Sequence, residues 1–332
     1  MKKITAALLS ILITVLFIPA ADSFAQGQAG AYCLKIAPGA RANGMGGSSV
    51  AMVEDATSLW WNPAGMSFLE YSMADIMHTK LVPTLAADVF FDYAGIVHHL
   101  GNGISVGFAF QYLSYGEWVA TNTSGEELGN ASSYEMSPMI GASMRLGENF
   151  SVGMNFKFVY IDLAPEWATV EGEEGVGHSV GLDIGCLYRV PEFSYAGYTV
   201  TGLRLGAAIS NLGPSITYID SDQAAPLPRT VRVGFGYTPV RGELFEINVA
   251  GDVERLLIDG DIDPIYHAGS EFVYTDLFAV RVGYLYDKDG DVQGVSYGLG
   301  FNISNRIRVD YGNVPQHEDL DRVHRWSLGL NF

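Results

Sequence analysis

The sequence predicts an all-β protein, a transmembrane antiparallel β-barrel of about 14 strands with a small N-terminal hatch in its lumen. Three observations predict it: an export signal at the start of the chain, long segments that alternate apolar and polar residues, and connections that alternate between short and long.

The export signal comes first. Lys2 and Lys3 form a short positive region, Ile4 to Ile18 is almost wholly apolar, and Pro19 ends the run. Ser23-Phe24-Ala25 then offers small residues at the two positions read by a signal peptidase, so cleavage is expected after Ala25. A retained membrane anchor is the rival reading of the apolar run, and the small-residue site at the right distance weighs against it. The expected organisation is a signal peptide over 1–25, a hatch over 26–66 and a barrel over 67–332.

Composition narrows the class. The chain is 48% hydrophobic, yet after Ile18 no apolar run approaches the ~20 residues that a spanning helix needs. Alternation supplies the membrane face instead. Phe150, Val152, Met154, Phe156, Phe158 and Tyr160 share one face of a strand, and Ser151, Gly153, Asn155 and Lys157 share the other. The stretches 103–113 and 293–304 repeat the pattern, as does the final one, with Trp326, Leu328, Leu330 and Phe332 in phase. Strands are expected near 67–79, 87–100, 103–115, 133–146, 149–161, 177–190, 200–211, 229–239, 243–254, 265–275, 278–287, 293–303, 305–312 and 322–332. Tight turns such as Gly101-Asn102-Gly103 alternate with longer loops such as 116–132, 162–176 and 212–228, and the 190–200 connection is long for the short-turn side.

Charge and chemistry exclude several functions. A net charge of −18 argues against nucleic acid as a partner. The polar strand faces carry Lys157, Asp183, Arg204, Arg232, Glu246, Arg281, Arg306, Arg308 and Asp310, which suits a wet or plugged lumen rather than a dry core. Cys33 and Cys186 could pair in an oxidising compartment, but Cys186 sits in phase with lipid-facing residues and reads as a small apolar side chain.

Residues 26–66 do not alternate and are the candidate plug. They contain Pro38-Gly39-Ala40-Arg41-Ala42-Asn43-Gly44-Met45-Gly46-Gly47-Ser48-Ser49-Val50-Ala51, then Asp55-Ala56, then Trp60-Trp61-Asn62-Pro63-Ala64-Gly65. This stretch resembles the N-terminal signature of the PorV/PorQ family, a branch of the FadL-like fourteen-stranded outer-membrane barrels. The resemblance implies that Asn62, Pro63, Ala64 and Gly65, with Gly44, Gly46 and Gly47, form a structural hatch motif. Trp326 and Phe332 resemble the aromatic-ended last strand that outer-membrane assembly machinery recognises. The family reading implies a part in type IX protein secretion, in the outer membrane of a diderm bacterium. Its members bind cargo C-terminal signal domains or attachment-complex partners. The alternative is a FadL-like transporter of hydrophobic small molecules. The chain is shorter than typical PorV members, which leaves the subfamily open.

The remaining motifs have plainer readings. Asp287-Lys288-Asp289-Gly290-Asp291 and Asp259-Gly260-Asp261-Ile262-Asp263 lack the glycine position of a calcium loop and read as charged hairpin tips. Glu126 and Glu127, and Glu166, Glu171, Glu173 and Glu174, crowd two predicted outer loops; solvated acids are the default, and an acidic rim steering a basic partner is the functional reading. His98 and His99 point to opposite faces of a strand and cannot share a metal. Gly44 to Gly47 lacks the frame of a dinucleotide loop, and no Ser-His pair is selected by the sequence. Neither a cofactor nor an enzymatic activity is expected. Leu81-Val82-Pro83-Thr84-Leu85 is an apolar outer-loop segment that either packs on the rim or receives a partner.

Overall fold

The computed structural model describes residues 29–169, 172–195, 198–218, 224–258 and 262–332. Outward side chains are apolar, while inward ones are small or polar on most strands and apolar where the hatch packs against β2 to β5, so the sheet encloses its inner face by curling on itself. Closure also leaves no bare strand edge in lipid. The strands are β1 (Met73–Val82), β2 (Ala86–Gly101), β3 (Ile104–Thr121), β4 (Glu127–Arg145), β5 (Phe150–Asp162), β6 (Val176–Arg189), β7 (Phe193–Tyr195), β8 (Tyr198–Val200), β9 (Arg204–Leu212), β10 (Thr230–Arg241), β11 (Phe245–Leu256), β12 (Ile265–Tyr274), β13 (Phe278–Asp287), β14 (Val292–Ile303), β15 (Ile307–Val314) and β16 (Val323–Asn331). Each pairs with its neighbour in sequence, except that β7 and β8 form a separate hairpin and β6 therefore pairs with β9. Antiparallel pairing of β1 with β16, from Met73↔Asn331 to Thr79↔Arg325, closes a barrel of fourteen strands.

The burial pattern is inside-out relative to a water-soluble domain. Val106, Phe108, Met154, Phe156, Val295, Leu299 and Phe301 are exposed on the outer wall, whereas Ser105, Gln111, Asn155, Lys157 and Asp183 are buried inside. A row of rings on β2 to β5, Phe90, Tyr112, Tyr134 and Tyr160, marks one end of this apolar wall with centroids 5.7–6.1 Å apart. Phe245–Phe272 and Phe278–Phe301 mark the other end. Such paired girdles suit the two faces of a bilayer.

At one end, tight turns such as Asn102–Gly103 and Ser304–Arg306 join the strands, using positive φ at Asn102, Gly103, Ser304 and Asn305. Apart from the connection between β6 and β9, the longer connections lie at the other end, here called the outer end.

Three expectations need correction, and one connection holds more structure than expected. The first strand begins at Met73 rather than 67, because Pro63–Phe68 forms a 3-10 turn capped by Asn62. The expected 116–132 loop is mostly strand: β3 runs to Thr121 and β4 starts at Glu127, so the hairpin projects beyond the aromatic row. The long 190–200 connection contains β7 and β8. Arg306 is exposed in the β14–β15 turn instead of facing the lumen.

The lumen has two characters. On the β2 to β5 side, Phe91, Tyr93, Val97, Leu113, Met139, Val159 and Ile161 pack in an apolar cluster with Cys33, Leu34, Leu59 and Met66 of the hatch and with Ile216 and Leu227 of the β9–β10 loop. On the β10 to β16 side the inward groups are ionic. At the edge of the apolar half, Lys157 pairs with Asp183 at 2.8 Å, and its Nζ donates to Asn211 Oδ1 at 2.8 Å. A buried ion pair that loses one member leaves an uncompensated charge. Lys157→Met is therefore expected to destabilise the refolded barrel by about 3–5 kcal/mol, with Lys157→Met/Asp183→Leu recovering most of the loss. Denaturant unfolding in detergent, followed by the shift in gel mobility between folded and heated barrel, measures both.

Candidate functional site

The hatch holds little regular structure: a 3-10 turn at Tyr32–Leu34, α1 (Ala40–Gly44), α2 (Ser58–Trp61) and the 3-10 turn after Asn62. Turns within the hatch satisfy part of its backbone, and wall side chains supply partners for several groups that these turns leave bare. Glu135 accepts from Cys33 N–H at 2.7 Å, and Asp252 from Ser49 and Val50 N–H at 2.6 and 2.8 Å. Asp75 and Ser327 each accept at 2.8 Å, from Ala56 and Ala40 N–H. In return Gln111 donates to Cys33 O at 3.2 Å, while Asn155 and Arg325 donate to Leu59 O and Ala37 O.

Asn62 is the pivot of the predicted motif. Its Nδ2 donates to Val50 O at 2.8 Å within the hatch and to Cys186 O at 3.0 Å in the wall, and its Oδ1 accepts from Ala64 N–H at 3.1 Å. Pro63 fits the first position of the following turn, where no N–H is needed. Wall glycines give this backbone room. A Cβ at Gly185 would overlap Asn62, one at Gly153 would overlap Pro63 and Ala64, one at Gly206 would overlap Val50 and one at Gly283 would overlap Met45 and Gly46. On the hatch itself, Gly46 and Gly47 have φ of +71° and +82°, a region open to glycine at no steric cost. Gly44 instead abuts Gly298.

A chain of ion pairs ties the other half of the hatch to the wall. Arg41 grips Glu271 through two bonds of 3.0 and 2.8 Å. Arg281 joins Glu271 to Asp310, each at 2.7 Å. Arg308 then bonds Asp310 at 2.8 Å, Asp75 of β1 at 2.8 Å and Asp55 of the hatch at 2.9 Å. Arg204 pairs with Glu54, and Arg232 with Glu254 while stacking over the Trp60 ring at 4.2 Å. At the turn end, Arg41, Glu54, Glu246, Glu271, Asp276 and Arg308 line a cavity of about 270 Å³.

Sequence reading identified Lys157, Asp183, Arg204, Arg232, Arg281, Arg308 and Asp310 as inward. It did not single out Asp75, Glu135, Asp252 or Glu271, the carboxylates that hold the hatch, or Glu254, which pairs with Arg232 on the wall. Asp252 and Glu254 share the strand face of Glu246, a signal available from alternation alone. Cys33 and Cys186 are both free thiols. Burial, and then the charge of Glu135, push the Cys33 thiol far above its ordinary value, so it is inert. Trp326 is exposed on the outer wall beside Tyr311, ring centroids 4.8 Å apart, and Phe332 N–H donates to Ser72 O at 2.9 Å. Ala25, with the rest of the predicted signal, lies outside the described residues, as do Glu171 and Asp259 to Asp261. Lys288 of the predicted acidic tip pairs with Asp263. Among the described residues, no three His, Cys, Asp or Glu side chains converge on a metal position.

The sequence profile of a family described as "Type IX secretion system protein PorV" matches residues 23–263, well over half the chain. No curated protein sequence matches. Among solved structures, the P. putida toluene transporter TodX superposes with a TM-score of 0.56 at 12% identity, covering 89% of this chain and 98% of that one. The Ralstonia pickettii toluene transporter TbuX gives 0.55 at 12% identity with the same coverage. A Pseudomonas aeruginosa FadL homologue gives 0.52 at 11% identity, over 88% and 98% of the two chains. At this identity the likeness establishes the fold alone.

Two outcomes follow from the seat of the hatch. Gly153→Val sets a branched side chain against Pro63 and Ala64 and is expected to cost about 1–3 kcal/mol or to expel the hatch. Limited proteolysis of the folded barrel, which cuts a displaced hatch and spares a seated one, reads the difference. The second outcome concerns pH. Burial works against the charge of Glu54, but Arg204 and Arg41 outweigh it and hold its pKa down to about 2. A carboxylate lowered on folding stabilises above its unfolded value, ~4.3, and the effect is lost as pH falls towards 2. Hatch protection is therefore expected to persist at pH 4 and to fall below pH 3, and Glu54→Gln is expected to remove that step in the same proteolysis assay.

Proposed function

Because the chain belongs to the family of the type IX secretion system protein PorV, we propose that it is an outer-membrane component of type IX protein secretion that binds cargo C-terminal signal domains or attachment-complex partners at its outer end. It does so as a binding and positioning protein with no catalytic role, its barrel set in outer-membrane lipid. The supporting observation is the seated hatch: Cys33, Leu59, Ala64 and Met66 are completely buried between hatch and wall. A lumen filled this way favours work done at the surface over conduction. On the same reading 1–25 is a cleaved signal ending at Ala25, Asn62 to Gly65 with Gly44, Gly46 and Gly47 form the structural latch of the hatch, and Trp326 and Phe332 form the assembly signal.

A FadL-like transporter of hydrophobic molecules is the second reading, and one feature favours it. Pairing of β6 with β9 stops at Leu182↔Leu212, so among the described residues no strand pairs with that side of β6 above Leu182. The β9–β10 loop turns inward there, with Ser179 Oγ donating to Pro214 O at 2.8 Å.

Clean deletion of the gene, followed by proteomics of surface, culture-fluid and periplasmic fractions, separates the two. Proteins bearing type IX signal domains are expected to accumulate in the periplasm or lose surface attachment. An unchanged distribution, with impaired uptake of long-chain lipids or aromatics, would instead establish the transporter.

A further inference from the structure

The projecting end of the β3–β4 hairpin has an open edge. β2 pairs with β3 from Gly101↔Ile104 only as far as Val89↔Tyr115, whereas β3 continues to Thr121 paired with β4, the register shifting between Ser114 and Glu117 and again between Ala120 and Thr121, where Leu128 of β4 is the extra residue. Gly116 to Thr121 thus has β4 on one side and, among the described residues, no strand paired with the other, where only Asp88 of β2 reaches Glu117.

The direction of its backbone groups follows from its two ends. Successive residues of a strand turn their N–H and C=O groups to opposite sides. Glu117 N–H points away from β4 and donates to Asp88 Oδ2 of β2 at 2.8 Å. Asn122 N–H points towards β4 and donates to Glu126 O at 2.9 Å. Counting from either end, Val119 and Thr121 turn N–H and C=O to the open side. Both are exposed, Val119 by 50%. Proteins blunt such edges with lysine or proline, or cover them; here the edge reads Gly-Glu-Trp-Val-Ala-Thr, without either. Below it, at the β1–β2 tip, Leu85 is 74% exposed. An added strand would take the path β2 would follow if it were as long as β3, with the apolar tip at its foot.

Charge selects the occupant. From Leu81 to Met144 the chain has no Lys or Arg, while Asp88, Glu117, Glu126 and Glu127 surround the edge. A second copy of this chain would set Glu117 and Asp88 against their like. A strand flanked by basic residues meets opposite charge instead.

We propose that this edge, through the backbone of Val119 and Thr121, receives an extended strand from a β-rich partner domain with basic flanks, by strand addition. Resting on the secretion reading above, that partner is the cargo signal domain.

The test uses the full chain in nanodiscs and, as probe, the purified signal domain of a protein mislocalised in the deletion strain. Val119→Pro removes an N–H that β4 does not use and so spares the β3–β4 ladder; Val119→Thr keeps it. Wild type and Val119→Thr are expected to bind alike, and Val119→Pro to bind at least tenfold more weakly with folded mobility intact. Amide exchange at Val119 and Thr121 in the wild type is expected to slow on binding, which decides the matter should the proline variant not fold. Equal binding by the proline variant, unslowed exchange, or a Val119→Cys disulfide dimer of this chain in place of the complex overturns the edge and leaves the secretion reading standing. Failure of every such domain to bind the wild type removes both.

Discussion

Backbone amides in a segment with little regular structure need partners, and those that the hatch cannot pair by itself must find them on the barrel wall. Everything else about the lumen follows from that requirement. Carboxylates on four strands, Glu135, Asp252, Asp75 and Glu271, point inward because hatch N–H groups or Arg41 wait there. Glycine recurs on the inward faces of β5, β6, β9 and β13 because hatch backbone passes within a Cβ's reach. The hatch in turn lets those charges stay buried, since each finds a hydrogen bond or an opposite charge. Wall and hatch are one polar network, and neither is reasonable without the other.

The division of the lumen into an apolar half and an ionic half gives the hatch two modes of attachment. Leu34, Leu59 and Met66 are held by area, without direction. Arg41 and Asp55 are held by geometry, through bidentate and bridging bonds. Area gives affinity, and geometry gives register. A plug with only the first could slide, and one with only the second would leave charges stranded after any shift.

Much of this was legible in the primary structure, and the gaps have physical causes. Strands such as β5 and β14 alternate because one face meets lipid and the other meets polar groups, so period two reports them directly. Where β3 rises past the aromatic row, its outer face meets no lipid. Glu117 and Thr121 stand where Phe108 and Phe110 stood lower down, and the membrane pattern ends although the strand does not. The start of β1 was misplaced because the Asn62-capped turn supplies apolar residues, Met66, Phe68 and Leu69, that mimic a strand's first positions. Asn62 to Gly65 was visible as a motif, but its partners were not. That Asn62 meets Cys186 O depends on the rotation of the hatch inside the barrel, which no local pattern encodes. The partners of the wall acids were hidden for the same reason: alternation shows which residues face inward, and only register across fourteen strands shows what each one meets.

Arg308 carries a consequence for how the molecule comes to exist. It sits on the penultimate strand and reaches Asp75 on the first strand, 233 residues earlier, and Asp55, 253 residues earlier. Between β15 and β1 runs only β16, so the bond to Asp75 spans the seam where the sheet meets itself, and the bond to Asp55 ties that seam to the hatch. The full set exists only when the last strands have closed the sheet and the plug is seated. The chain thus carries its own inspection point: one guanidinium finds all its carboxylates only in a barrel that is complete, closed and filled.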